Sequence, residues 1–140
     1  MIHLNSIGQD LHSIDSTLRK IGKKGNLKRI KIGRGPNAEV IWFRKSNKEI
    51  FCIFVRKRYG SKKIADSAVV FQNYFINDTL IKIWYSCLVL KKSNGGIELY
   101  FAHGKLVSQR KKGVLFFDVD LLVKEAYTLL AEAKMLLKKN

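Results

Sequence analysis

Acidic residues are scarce in this chain: 11 Asp and Glu stand in 140 residues, beside one proline and two cysteines. A single proline together with 46% apolar residues excludes a proline-rich linker or a disordered, low-complexity protein. Cys52 and Cys87 lie in the apolar runs IFCIF and YSCLVL, with no CxxC spacing and no histidine cluster beside them. Zinc is thereby disfavoured, and both read as buried thiols of a reducing compartment. Long apolar runs are missing too. Stretches such as Ile50 to Val55 fall far short of the roughly 20 residues that span a bilayer. The opening MIHLNSIGQD lacks the basic region and apolar stretch of a signal peptide. The expectation is a cytoplasmic protein that does not enter a membrane.

Helical periodicity opens the chain. Ile7, Leu11, Ile14, Leu18 and Ile21 repeat at the spacing of one helical stripe. Asn5 or Ser6 suits the start and Gly22 the end. From Leu27 the period changes to two. LKRIKI, AEVIWFRK and EIFCIFVRKR read as strands, the last two joined by Ser46-Asn47-Lys48, and SAVVFQNYFI follows as a further strand. TLIKIWYSCLVL and IELYFA flank KKSNGG, whose Asn-Gly-Gly predicts a hairpin turn, and KLVSQ and VLFF suggest a last, shorter pair. Leu122, Ala126, Leu129, Ala133 and Leu136 then mark a long helix from about Asp118 to Lys138.

The predicted class is α+β: an antiparallel sheet of six to eight strands, built as hairpins or a meander, with an N-terminal helix and a long C-terminal helix packed on one face. Length and the lack of repeats or linkers predict a single domain over 1–140. A homodimer formed through the helical stripes is the alternative to packing them on the sheet. A β-meander followed by a long helix is similar in layout to the Whirly and positive-coactivator families. That likeness implies single-strand binding and rests on no matched residue.

What the chain has in excess is positive charge, 27 Lys and Arg for a formal net charge of +16. The excess is concentrated. Residues 19–63 hold 16 basic residues against Glu39 and Glu49. A surface built only for solubility intersperses both signs, whereas a strip that suppresses acids matches what phosphate contacts require. The phosphate-binding candidates are Lys28, Arg29, Lys31, Arg34, Arg44, Lys45, Arg56, Lys57 and Arg58. Aromatic residues interleave with them, and Trp42 and Tyr59 are the candidates for stacking on unpaired bases. Trp42-Phe43, Trp84-Tyr85 and Tyr100-Phe101 are each adjacent pairs. Alternation on a strand sends one member of each pair to either face.

Catalytic patterns are thin. Asp118 and Asp120 precede the last helix, where the acids of a metal site or a helix cap can stand. His12 and His103, with Lys105 or Arg110, would supply a metal-free ribonuclease if the fold joined them. GRG at 33–35 lacks the lysine of a phosphate loop. The sequence therefore predicts a small nucleic-acid-binding protein of little sequence specificity, with single-stranded DNA or RNA as partner and no catalytic residue, metal or cofactor. Abundant Ile and Lys suit a virus or mobile element. A basic, toxin-like ribonuclease and a nucleocapsid protein are the alternatives.

Overall fold

The computed structural model describes residues 4–23, 26–33, 38–59, 67–89, 92–113 and 118–139, excepting the side chains of 4–11, 58–59, 67, 88–89 and 92–94. Helix α1 (Leu4–Lys23) is followed by strands β1 (Leu27–Ile32), β2 (Ala38–Arg44), β3 (Ile50–Tyr59), β4 (Ser67–Ile76), β5 (Thr79–Val89), β6 (Lys92–Ala102) and β7 (Lys105–Gly113), and then by helix α2 (Val119–Lys139). The strands form one antiparallel sheet in chain order, with β1 and β7 at its edges. The α+β class and the helices at either end are those the sequence predicts. Among the described residues no helix is long and apolar enough to cross a membrane.

Tight turns set the register. Asn77 and Asp78 both have positive φ (50° and 61°), as do His103 and Gly104 (52° and 79°). Two consecutive left-handed residues give the turn whose twist matches a two-residue hairpin. Asn-Gly-Gly serves differently from its expected role. Ser93 pairs with Leu88 and Gly95 with Cys87, so Asn94 is the extra residue of a bulge inside β6. The turn between β5 and β6, like VLFF, lies outside the described residues. Gly22 stands one residue before the end of α1, close to where the sequence puts that end. It lies within α1 and is absent from the positive-φ glycines, so it does not end the helix by a left-handed step.

The sequence predicts both helices on one face, but they pack on opposite faces, because alternation leaves apolar side chains on each side of the sheet. Leu122, Ala126, Leu130, Ala133 and Leu137 of α2 join Ile41, Phe43, Ile53, Val55, Phe75, Ile83, Ile97, Leu99 and Phe101 in the larger core. The two alanines in that stripe let the helix backbone approach the sheet closely. Polar contacts fix its position. The Tyr127 hydroxyl accepts the Leu80 backbone N–H at 3.1 Å, Lys57 pairs with Glu125 at 3.2 Å, and Lys134 pairs with Asp78. Helix α1 lies on the other face. Its Leu18 is buried with Phe51 and Cys52, while Ile14 and Ile21 pack beside Leu27, Trp42 and Tyr74. Cys52 and Cys87 are both free; Cys52 belongs to the α1 side, and Cys87 packs against the α2 core.

Leu130 is 5% exposed at the centre of the α2 stripe. Leu130→Ala is expected to lower the unfolding free energy by about 2–5 kcal/mol, measured as a fall in the urea midpoint.

Candidate functional site

Strand pairing arranges the α1 face in rows that cross the sheet. One row runs Arg29, Trp42, Cys52, Tyr74, Lys82, Tyr100 and Ser108. The next runs Lys31, Val40, Phe54, Gln72, Trp84, Glu98 and Arg110. A third carries Ala38, Arg56, Val70, Ser86, Gly96 and Lys112. Much of the first row lies under α1. In the second, Val40, Phe54, Gln72 and Trp84 are all half-buried, leaving an apolar and aromatic strip that α1 does not seal.

The adjacent aromatic pairs split as alternation requires. Phe43, Tyr85 and Phe101 face the α2 core, whereas Trp42, Trp84 and Tyr100 take the α1 side. Tyr100 is fully buried, while Trp42 and Trp84 keep part of their surface. Trp42 has company already. The Arg29 guanidinium stands 5.7 Å from its ring centroid, and the α1 cluster packs beside it. Trp84 sits mid-strand between Gln72 and Glu98. It is absent from the expected site because it lies outside the basic run of residues 19–63; alternation combined with the pairing brings it to this face.

The basic strip divides between the faces. Arg29, Lys31 and Arg56 share the α1 face, and all three are exposed. Lys28, opposite Phe43, and Lys57, paired with Glu125, belong to the α2 face. Arg44 is bound to Glu49 at 3.6 Å, and Glu49 also accepts the Asn77 backbone N–H. Arg44 therefore helps tie two hairpin turns together. Lys45 is exposed in the β2–β3 turn, where its backbone N–H donates to the Asn26 carbonyl. Arg58 and Tyr59 end β3 opposite Ala68 and Ser67; their side chains, like all of Arg34, lie outside the described residues. Two cations that the sequence strip omits join this face from the other edge. Arg110 and Lys112 on β7 pair with Glu98 and Gly96 and are exposed.

Acids on this face are neutralised internally. Lys82 lies 2.8 Å from Asp15 Oδ1 and 3.0 Å from Glu98 Oε2, with 14% of its side chain exposed. The Tyr100 hydroxyl stands 3.0 Å from Asp15 Oδ2 and 2.7 Å from Glu98 Oε2. It has one proton to give, so the ammonium must satisfy the rest. Burial would raise both carboxyls; the Lys82 ammonium, the Tyr100 hydroxyl and the Arg110 charge outweigh it and hold both below their usual values. Burial would lower Lys82, but its two carboxylates hold it above the ordinary lysine value. This cluster clamps α1 to β5 and β6.

Among the described residues no group of three or more His, Cys, Asp and Glu could hold a metal. Asp118 caps α2, its Oδ1 accepting the Leu121 N–H at 3.3 Å, and Asp120 is exposed in the first turn. His12 is exposed on α1 and His103 in the β6–β7 turn. Burial pushes the Cys52 thiol up to about 12, which leaves no thiolate at neutral pH to act as a nucleophile.

Lys82→Met removes the cation between Asp15 and Glu98 and is expected to destabilise the protein by about 1.5–3 kcal/mol near neutral pH. The depressed carboxyls contribute stability above their unfolded values of 3.8 and 4.5 and lose it as pH falls through the folded ones. The raised lysine contributes below 10.5 and loses its share as pH rises through its folded value. Urea midpoints against pH for wild type and Asp15→Asn should therefore differ most between about 4.5 and 10.5 and converge in acid.

No family model matches the chain, and neither does any curated protein or solved structure, so nothing supports the likeness of layout to the Whirly and positive-coactivator families.

Proposed function

We propose that the protein binds single-stranded nucleic acid across the α1 face, holding phosphates by charge and bases by stacking, with little sequence preference. One observation carries the reading: a half-open row with Phe54 and Trp84 at its centre is bracketed by Arg29, Lys31 and Arg56 toward one edge and by Arg110 and Lys112 at the other. Seven strands span about 29 Å from the first to the last, long enough for several nucleotides to cross the sheet. Aromatic rings left partly open beside a basic track suit sequence-tolerant binding of unpaired bases, because every base has a stackable face. Phosphate contacts fix position and carry no base information.

The same cations also guard the sheet edges. Lysine and arginine on β1 and β7 discourage another chain from adding a strand. That role accounts for charge at an edge, but not for Arg56 on β3 or for half-exposed aromatics between the edges. An intracellular setting, in which both cysteines stay reduced, belongs to the same proposal.

Neighbouring residues on opposite faces give the sharpest test. Arg56→Glu is expected to weaken binding of a fluorescent single strand at least tenfold, whereas Lys57→Glu should change it much less. Equal losses would mean that bulk charge, and not this face, makes the contact. If Arg29, Lys31, Arg56, Arg110 and Lys112 all meet phosphates, log affinity against log salt should fall with a slope of about −3.5, at roughly 0.7 per contact. Trp84→Ala should cost about 1–3 kcal/mol of single-strand affinity.

A further inference from the structure

Beside the half-open row, a pocket of about 410 Å³ opens between the end of α1 and the sheet. Its volume lies within the roughly 300–1,000 Å³ of small-molecule sites. Trp42, Phe54 and Tyr74 supply aromatic walls, with Arg29 and Gln72 as the charged and amide groups. The Tyr74 hydroxyl donates to Gln72 Oε1. Gln72 thereby presents its amide nitrogen, with two N–H donors, as the group left for a ligand. Burial pushes Tyr74 up to about 12, so its hydroxyl stays neutral and able to donate.

The helical boundary of the pocket is Gly22. Gly22 is the penultimate residue of α1, where a glycine is ordinarily explained by a left-handed step that ends the helix or by a close approach. Gly22 shows neither. It is not among the positive-φ glycines, and a Cβ built there would meet nothing within 4 Å. Nothing in the packing needs the missing side chain. What its absence leaves is open space at the pocket wall.

We propose that this pocket takes one unstacked nucleobase, its ring against the aromatic walls and its edge toward the Gln72 amide, with the attached phosphate at Arg29 and Lys31. The proposal rests on the single-strand reading above and adds to it one defined base position along the strand. Asn and Gln amides are suited to base edges, and bases splayed out of a single strand are commonly held by aromatic stacking and edge contacts together. A base in a strand and a free nucleotide share this chemistry. The strand is the favoured source because Lys31 and Arg56 continue the charge beyond the pocket mouth.

Gly22→Leu tests the idea without threatening the fold, since leucine favours the helix and fills the open space. Wild type and variant are titrated with a twelve-nucleotide oligothymidylate, the same strand carrying scattered abasic sites, and thymidine monophosphate. Thermal melting checks stability. The expected result is an unchanged or higher melting temperature, about tenfold weaker binding of the intact strand and an unchanged salt slope. Abasic sites should weaken wild type by a similar factor and the variant hardly further. Variant and wild type binding the intact strand equally, with steep salt dependence in both, would overturn the pocket and leave the charged face standing. Wild type binding no strand at all would overturn the single-strand reading itself. Thymidine monophosphate competing as well as the strand would overturn the strand as the source and assign the pocket to free nucleotides.

Discussion

A sheet this wide cannot be hidden by two helices. Seven strands measure about 29 Å across, and strands of ten or eleven residues run some 33 Å, whereas a helix with its side chains is roughly 10–12 Å thick. One helix per face must leave part of each face to water or to a partner. On the α2 side the shortfall falls at the margins, where Lys28 and Lys57 stand. On the α1 side it falls across the middle, along Val40, Phe54, Gln72 and Trp84. The character of that strip follows from which side chains alternation sends there.

The clamp around Lys82 shapes the electrostatics as well as the packing. Glu98 lies in the half-open row itself, where a free carboxylate would repel a polyanion. Bound to Lys82 and the Tyr100 hydroxyl, and paired across the strands with Arg110, it projects little net negative charge. Asp15 is treated alike. The residues that dock α1 therefore keep the adjoining surface positive, so the helix covers part of the face without reversing its sign.

Much of this was readable from period alone. Alternation in LKRIKI and AEVIWFR and the splitting of three aromatic pairs follow from a repeat of two, and the stripe of α2 from a repeat of 3.6. What period leaves open is registration between distant segments. Arg56 and Lys57 look equivalent in a basic run, yet one shares the face of the half-open row and the other meets a glutamate on α2. Arg110 and Lys112 join Arg29 and Lys31 only because β7 closes the far edge. Lys82 resembles a solvent-facing strand residue until Asp15, 67 positions earlier, is laid upon it. Asn-Gly-Gly carries turn chemistry wherever it falls, and here it serves a bulge at which Gly95 alone of the three has positive φ.

The meander has a consequence for the order of assembly. Every strand pairs with its immediate neighbours in the chain, so the sheet can grow hairpin by hairpin with short loops to close at each step. Helix α1 precedes all of it, yet its polar anchors lie 67 and 85 residues downstream, on β5 and β6. During vectorial synthesis the helix must wait for most of the sheet before it can dock. Until then Trp42, Phe51 and Tyr74 lack the cover that Leu18 and Ile21 later provide, and the widest stretch of unshielded aromatic surface belongs to the nascent chain.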